Sequence, residues 1–121
     1  MPQVTVTGYA TVLPGVRDVM AALVTACAGE ALSIRPGALA YRFVALDAAD
    51  LRAPEGRSER YTIVELRLFA GRTVEAKKAF YAAMYAGFAE RLGVEPVDLE
   101  ILVLDQPAHD WAVRGRPGDE L

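Results

Sequence analysis

The sequence predicts an α+β fold in which two tandem β-α-β units form one four-stranded mixed sheet with two helices on one face. Three observations carry that reading. Short segments alternate polar and apolar residues, as strands do. Longer segments between them carry apolar residues at helical spacing, and Gly or Pro clusters separate the two kinds. The order of these elements runs through the 121-residue chain twice.

Residues 3–8 (QVTVTG) alternate and read as the first strand. Residues 16–31 follow Pro14 and Gly15, with Val19, Met20, Leu23 and Cys27 at helical spacing. A proline suits the first turn of a helix, where its missing N–H has no partner to lose, and Pro36-Gly37 closes the segment. Residues 39–47 (LAYRFVALD) read as the second strand, and Pro54 and Gly56 mark the polar connection after it as a loop. In the second half, residues 60–69 (RYTIVELRLF) form a strand with Val64, Leu66 and Leu68 on one face. Thr73 is the expected N-cap of a helix that runs to about Leu92 with Phe80, Ala83, Met84, Gly87 and Phe88 as its apolar stripe, and Gly93 terminates it. Residues 98–105 (DLEILVLD) are the last strand, and the tail is irregular or a short hairpin. Right-handed crossovers make the two strands of each unit parallel. The chain is therefore expected to be a single domain over 1–121 with pseudo-repeat halves at 2–47 and 60–115. The face away from the helices carries Glu65 and Arg67 among apolar residues, a mixture that suits burial against other subunits of a closed oligomer. Arg67 itself is expected to form an ion pair with Glu65 or a neighbouring strand.

Composition excludes several function classes. Hydrophobic residues make up 53% and charged residues 24%, which suits an ordered core. The net charge of −3, without a basic run, argues against a nucleic-acid surface. No apolar stretch is long enough to span a membrane, and the N-terminus lacks the features of a signal peptide. The single cysteine, Cys27, excludes an intramolecular disulfide and fits the cytoplasm, where a helix core is its expected place. The single histidine, His109, has too few partners for a metal site.

Pro2 is the residue with the most chemical potential. Trimming of Met1 leaves it with a secondary amine. An α-amine titrates near ~7.7–8.0, and an apolar pocket disfavours its charged form, so such a proline can serve as a base near neutral pH. With Met1 retained its nitrogen is an amide and has no basicity. Inert Met-Pro starts are the competing reading.

The segment from Leu66 to Pro117 resembles the body of a 4-oxalocrotonate tautomerase subunit. The matching features are a strand ending in Gly71-Arg72, a turn into a Lys-bearing helix, and Gly93-Val94 with Pro96. A hydrophobic strand closed by Asp105 follows, then Trp111 before a Gly-bearing turn. The likeness is strong over 62–115 and weaker over 2–47, where a more distant copy begins at Pro2. Doubled subunits of this kind occur in the tautomerase superfamily. Examples are the 5-carboxymethyl-2-hydroxymuconate isomerases, the malonate semialdehyde decarboxylases and the cis-3-chloroacrylic acid dehalogenases.

The resemblance implies a tautomerase/MIF-like fold, a homotrimer, and a cofactor-independent tautomerase or isomerase. Its substrate would be a small 2-oxo or 2-hydroxy unsaturated carboxylic acid. Pro2 is then the catalytic base, and Arg72 is the forked, permanently charged partner of a carboxylate or enolate. Arg42 stands on the second strand where the family carries another substrate arginine. Trp111 matches the aromatic wall, and Arg114 is a further cation near it. Each has a structural alternative: a solvated first-turn arginine for Arg72, a paired strand arginine for Arg42, and core or interface filling for Trp111. Where the dehalogenases it resembles carry a second arginine and an acidic residue, the chain has Phe69-Ala70 and Val113, and where the decarboxylases carry an aspartate it has Gly37-Ala38-Leu39-Ala40. These departures disfavour hydration-driven dehalogenation and decarboxylation. A catalytically silent oligomeric binding or scaffold protein of the same fold is the alternative function.

Overall fold

The strand that opens the chain lies in the middle of the sheet. The computed structural model describes residues 2–121. Its elements are β1 (Gln3–Tyr9), α1 (Leu13–Leu32), β2 (Ala40–Leu46), β3 (Thr62–Phe69), α2 (Val74–Leu92) and β4 (Leu99–Gln106). A short hairpin, β5 (Ala112–Val113) and β6 (Arg116–Pro117), ends the chain. The main sheet has the order β2-β1-β3-β4. Within each half the strands are parallel, whereas β1 and β3 pair antiparallel with Val6 opposite Val64. The sheet is mixed, as expected.

Alternation decides what each face does. Val4 and Val6 of β1, Val64, Leu66 and Leu68 of β3 and Leu99 of β4 point to the helices and are buried. Tyr41, Phe43, Ile101 and Val103 on the edge strands flank them. From the helices come Met20, Leu23, Val24, Cys27 and Ala28 of α1, and Phe80, Met84 and Phe88 of α2. The opposite face is mixed. Leu102 there is 40% exposed, and Glu65 and Arg67 share the face with Ile63. The expected Arg67 ion pair is absent among the described residues. Across the ladders, Arg67 faces Gln3 and Leu104, and Glu65 faces Thr5 and Leu102, so neither meets an opposite charge on a neighbouring strand.

Two helix boundaries differ from expectation for local reasons. α1 starts at Leu13, because buried Leu13 anchors its first turn and Pro14 fits there without loss of a hydrogen bond. It stops at Leu32, before the proline, with Ser33 in the left-handed region at φ 55° and Ile34 donating to the Ala28 carbonyl. α2 begins as expected: the Thr73 hydroxyl accepts from the Ala76 N–H at 3.1 Å. It closes at Gly93, φ 64°. Lys77 of α2 and Asp105 of β4 form an ion pair at 2.5 Å. No described helix is long and apolar enough to cross a membrane. Cys27 is buried, and burial, followed by the nearby Glu30 charge, raises its thiol pKa. That suits a core side chain and not a nucleophile.

The long β2–β3 connection folds over one end of the mixed face. Its Ser58 donates through N–H and hydroxyl to buried Asp98, at 2.8 and 2.5 Å, and the Ala53 N–H donates to the Tyr9 phenol. Beneath it Tyr61, 4% exposed, donates to Glu100 at 2.7 Å. Burial first, then this hydrogen bond and the Glu100 charge, push the Tyr61 phenol up to about 12. The folded protein thus favours the neutral phenol, whereas an unfolded tyrosine titrates near ~10. The stability this contributes is complete below about pH 10 and is lost as pH rises toward about 12. Urea midpoints measured across that window should fall in the wild type, and Tyr61→Phe should flatten the fall.

Candidate active site

The antiparallel pairing of β1 with β3 gathers four chain segments at one end of the sheet. β1 and β2 begin there, and β3 and β4 end there. Pro2, half-buried, precedes β1, and its carbonyl accepts the Ala40 N–H at 3.1 Å. The turn Gly71-Arg72 leaves β3 at the same end, and the tail bearing Trp111 leaves β4 there. Removal of Met1, on which the basicity of Pro2 depends, lies outside the described residues.

A cavity of about 120 Å³ lies beside Pro2, lined by Gln3, Val4, Ala40 and Arg42. Arg42 projects from edge strand β2 and donates through Nη2 to the Thr5 hydroxyl at 3.3 Å, so β1 helps to hold the guanidinium. Gln3 and Thr5 contribute to this corner although sequence reasoning did not single them out. The signal was present: they alternate with Val4 and Val6, so they must face away from the core.

Arg72 is half-buried and is not the solvated side chain that its position in the turn allowed. Its Nε donates to the Leu32 carbonyl at the end of α1, 3.2 Å away. A cation there suits the negative end of the helix dipole. It lines a second cavity, about 410 Å³, with Ala31, Leu32, Ser33, Gly71, Thr73 and Ala76. Within one chain, therefore, Arg42 borders the Pro2 corner, and Arg72 borders a neighbouring cavity with no lining residue in common.

Trp111 packs edge-on against Phe69, with ring centroids 5.2 Å apart and planes at 81°. Phe69 follows Arg67 on β3, and Arg67 pairs with Gln3, so the two rings stand at the Pro2 end of the sheet. In the sequence Phe69 stands out only as a departure from the dehalogenases. Its alternation with Ile63, Glu65 and Arg67 marks it as a residue of the mixed face. Arg114 sits at the tip of the terminal hairpin with φ 51°, followed by Gly115 at φ 78°. Two successive residues with positive φ make the tight turn that matches strand twist. His109 is exposed beside Asp110 at 3.5 Å. No group of three or more His, Cys, Asp or Glu side chains able to hold a metal ion occurs among the described residues.

The same surroundings in the second half are different chemically. An offset of 60 residues superposes the repeated elements: Leu32 on Leu92, Pro36 on Pro96, Leu39 on Leu99. Under it Pro2 corresponds to Thr62, Ala40 to Glu100, Arg42 to Leu102 and Arg72 to Val12. The equivalent corner thus lacks both a proline and its arginines, and buried Tyr61 with half-buried Glu100 occupies it.

Comparisons with known proteins agree with this architecture. A family model described as "Tautomerase enzyme" matches residues 39–114. The chain is similar to an R7 fused 4-OT wild-type asymmetric trimer, at 17% identity over 98% of this chain and 97% of that one, with a TM-score of 0.84. It is similar to FG41 malonate semialdehyde decarboxylase inhibited by 3-bromopropiolate, at 26% identity over 93% and 87% of the two chains, TM-score 0.71. A macrophage migration inhibitory factor-like protein from Entamoeba histolytica matches at 10% identity over 96% and 97%, TM-score 0.75.

The Phe69–Trp111 packing depends on one close approach. The Gly118 N–H donates to the Trp111 carbonyl at 2.6 Å, and a Cβ on Gly118 would stand 2.3 Å from the Ala108 carbonyl oxygen and 2.9 Å from the Phe69 ring. Backbone cannot yield to such an overlap. Gly118→Ala should therefore lift the tail from Phe69, seen as a red-shifted and more readily quenched emission of Trp111, the chain's one tryptophan.

Proposed function

The chain belongs to the tautomerase enzyme family, and on that premise we propose that it is a cofactor-independent tautomerase or isomerase. The reaction moves a proton within a small 2-oxo or 2-hydroxy unsaturated carboxylic acid, and the amine of Pro2, freed by removal of Met1, is the base. The observation that supports this most is the convergence of Pro2, the Arg42-lined cavity, the Phe69–Trp111 pair and Arg72 on one end of the sheet.

In this reading the neutral Pro2 nitrogen takes a proton from the substrate and returns it at another carbon, so no oxidant or second reactant enters. Arg42 holds the carboxylate, and Arg72 supplies charge for the developing enolate oxygen from the adjoining cavity. Phe69 and Trp111 keep water from the amine and so favour its neutral form. Arg114, on the hairpin tip behind Trp111, is assigned a lesser part in drawing in the anionic substrate.

Cavity size and the mixed sheet face support an oligomer. The space beside Pro2, about 120 Å³, is small for a dienoate, and a neighbouring chain would enlarge and close it. Ile63, Leu102 and Leu104 on the mixed face are apolar side chains for such a contact. A homotrimer is the assembly we propose, as in the fused 4-OT trimer to which the chain is similar. We propose a cytoplasmic location on the strength of the lone cysteine. Decarboxylation, raised by the likeness to a malonate semialdehyde decarboxylase, finds less support, because none of the residues lining the Pro2 cavity is acidic.

Ketonisation of phenylenolpyruvate or 2-hydroxymuconate tests the reading. Pro2→Ala should lower kcat/KM by roughly 10²–10⁴, and Arg72→Ala or Arg42→Ala by roughly 10²–10³ through a lost charge-stabilising donor. Unchanged rates in all three variants would refute the roles, and no activity in protein shown by mass spectrometry to lack Met1 would leave the silent scaffold as the better reading. Light scattering should give the mass of three chains, and Leu102→Glu should lower it.

A further inference from the structure

A third cavity, far from Pro2, repeats the plan of the one at Arg72. It measures about 250 Å³ and is lined by Thr11, Val12, Val16, Met20, Glu59, Arg60, Leu92 and Val94. The 60-residue offset maps Thr11 to Gly71, Val12 to Arg72, Val16 to Ala76 and Leu92 to Leu32, so the two cavities are internal images of each other. Each holds a guanidinium tied to the last carbonyl of a helix. Arg72 donates to Leu32, and Arg60 donates through Nη1 to Leu92 at 2.6 Å and Gly93 at 3.2 Å. The cation has been kept at this end although the position equivalent to Arg72 is Val12.

The lining differs from its image in being more oily. Met20 and Val94 are buried, and Val12, Val16 and Leu92 are half-buried, so the cavity has an apolar floor. Arg60 stands at the rim, and the two carbonyls engage only one of its nitrogens. A guanidinium has five N–H donors in a planar fork, so the remaining edge can receive a carboxylate. Glu59 on the same rim repels a second negative charge.

We propose that this cavity is a second ligand site, for a monocarboxylate with a short apolar chain, whose chain lies on Met20, Val16 and Val94 and whose carboxylate meets Arg60. The site binds and does not catalyse, because Thr62 occupies the position that corresponds to Pro2. It is independent of the role proposed for Pro2.

The test uses full-length protein with ¹³C-labelled methionine methyl groups and hexanoate as the probe. Met20 lines the cavity, whereas Met84 is buried in the core and serves as an internal reference. Hexanoate should shift the Met20 signal saturably and leave Met84 unmoved. Arg60→Ala should weaken binding on the order of tenfold, as expected for a lost hydrogen bond to a charged group. Val16→Phe, which fills the floor without touching Arg60, should abolish it, and Arg72→Ala should not change it. Adipate and hexylamine should bind more weakly than hexanoate. A Met20 signal that never moves overturns the proposal. So does an affinity that survives Arg60→Ala but falls with Arg72→Ala, or hexylamine binding as tightly as hexanoate.

Discussion

The antiparallel ladder between β1 and β3 is the constraint on which the rest depends. Each β-α-β half could form a parallel strand pair with a helix over it, but two such pairs define no site. Pairing Val6 with Val64 turns one half against the other, so that the start of β1 meets the end of β3. From this follow the antiparallel packing of the helices, the burial of both central strands, and the delivery of Pro2, Phe69, Arg72 and Trp111 to a common end. The apolar side chains along that ladder, Val4, Val6, Val64 and Leu66, are at most 1% exposed. A one-residue slip would carry them to the mixed face.

The same operation that builds one site from two halves must build its image at the other end. The halves have diverged so that the images are not equivalent. At the image of the Pro2 corner, Ala40 becomes Glu100 and Arg42 becomes Leu102, and the Tyr61–Glu100 hydrogen bond fills the space under the β2–β3 connection. At the image of the Arg72 cavity the guanidinium comes from Arg60 instead. The second half has Thr62 where the first has Pro2, yet both helix ends keep a cation on the last carbonyl, where the accumulated backbone dipole favours it.

Much of this was legible from local pattern. The alternation of QVTVTG and TIVELRLF, the Thr73 cap, the Gly93 stop and the buried place of Cys27 are properties of a residue and its near neighbours. The Tyr61–Glu100 and Ser58–Asp98 contacts were not legible, since they join positions about forty apart in the chain. The partner of Arg72 escaped for the same reason: Leu32 is in the other half. Arg67 and Glu65 looked like an ion pair because their charges are opposite and close in sequence. On a strand such neighbours point alike and stand apart, and the residues across the ladders are neutral.

By itself, then, the sequence determined the elements, the face of each that must be buried, and Pro2 and the arginines as the side chains with chemistry to offer. These follow from short-range backbone preferences and from hydrophobic period, which a linear chain displays directly. Only the tertiary structure decided which of those side chains share a corner. It put Arg42 beside Pro2 with Thr5 as its support, Arg72 in an adjoining cavity against α1, Phe69 under Trp111, and Arg60 over Met20 at the far end. Those neighbours are set by strand order and register, which are settled by packing over the whole core and leave no mark at any single position.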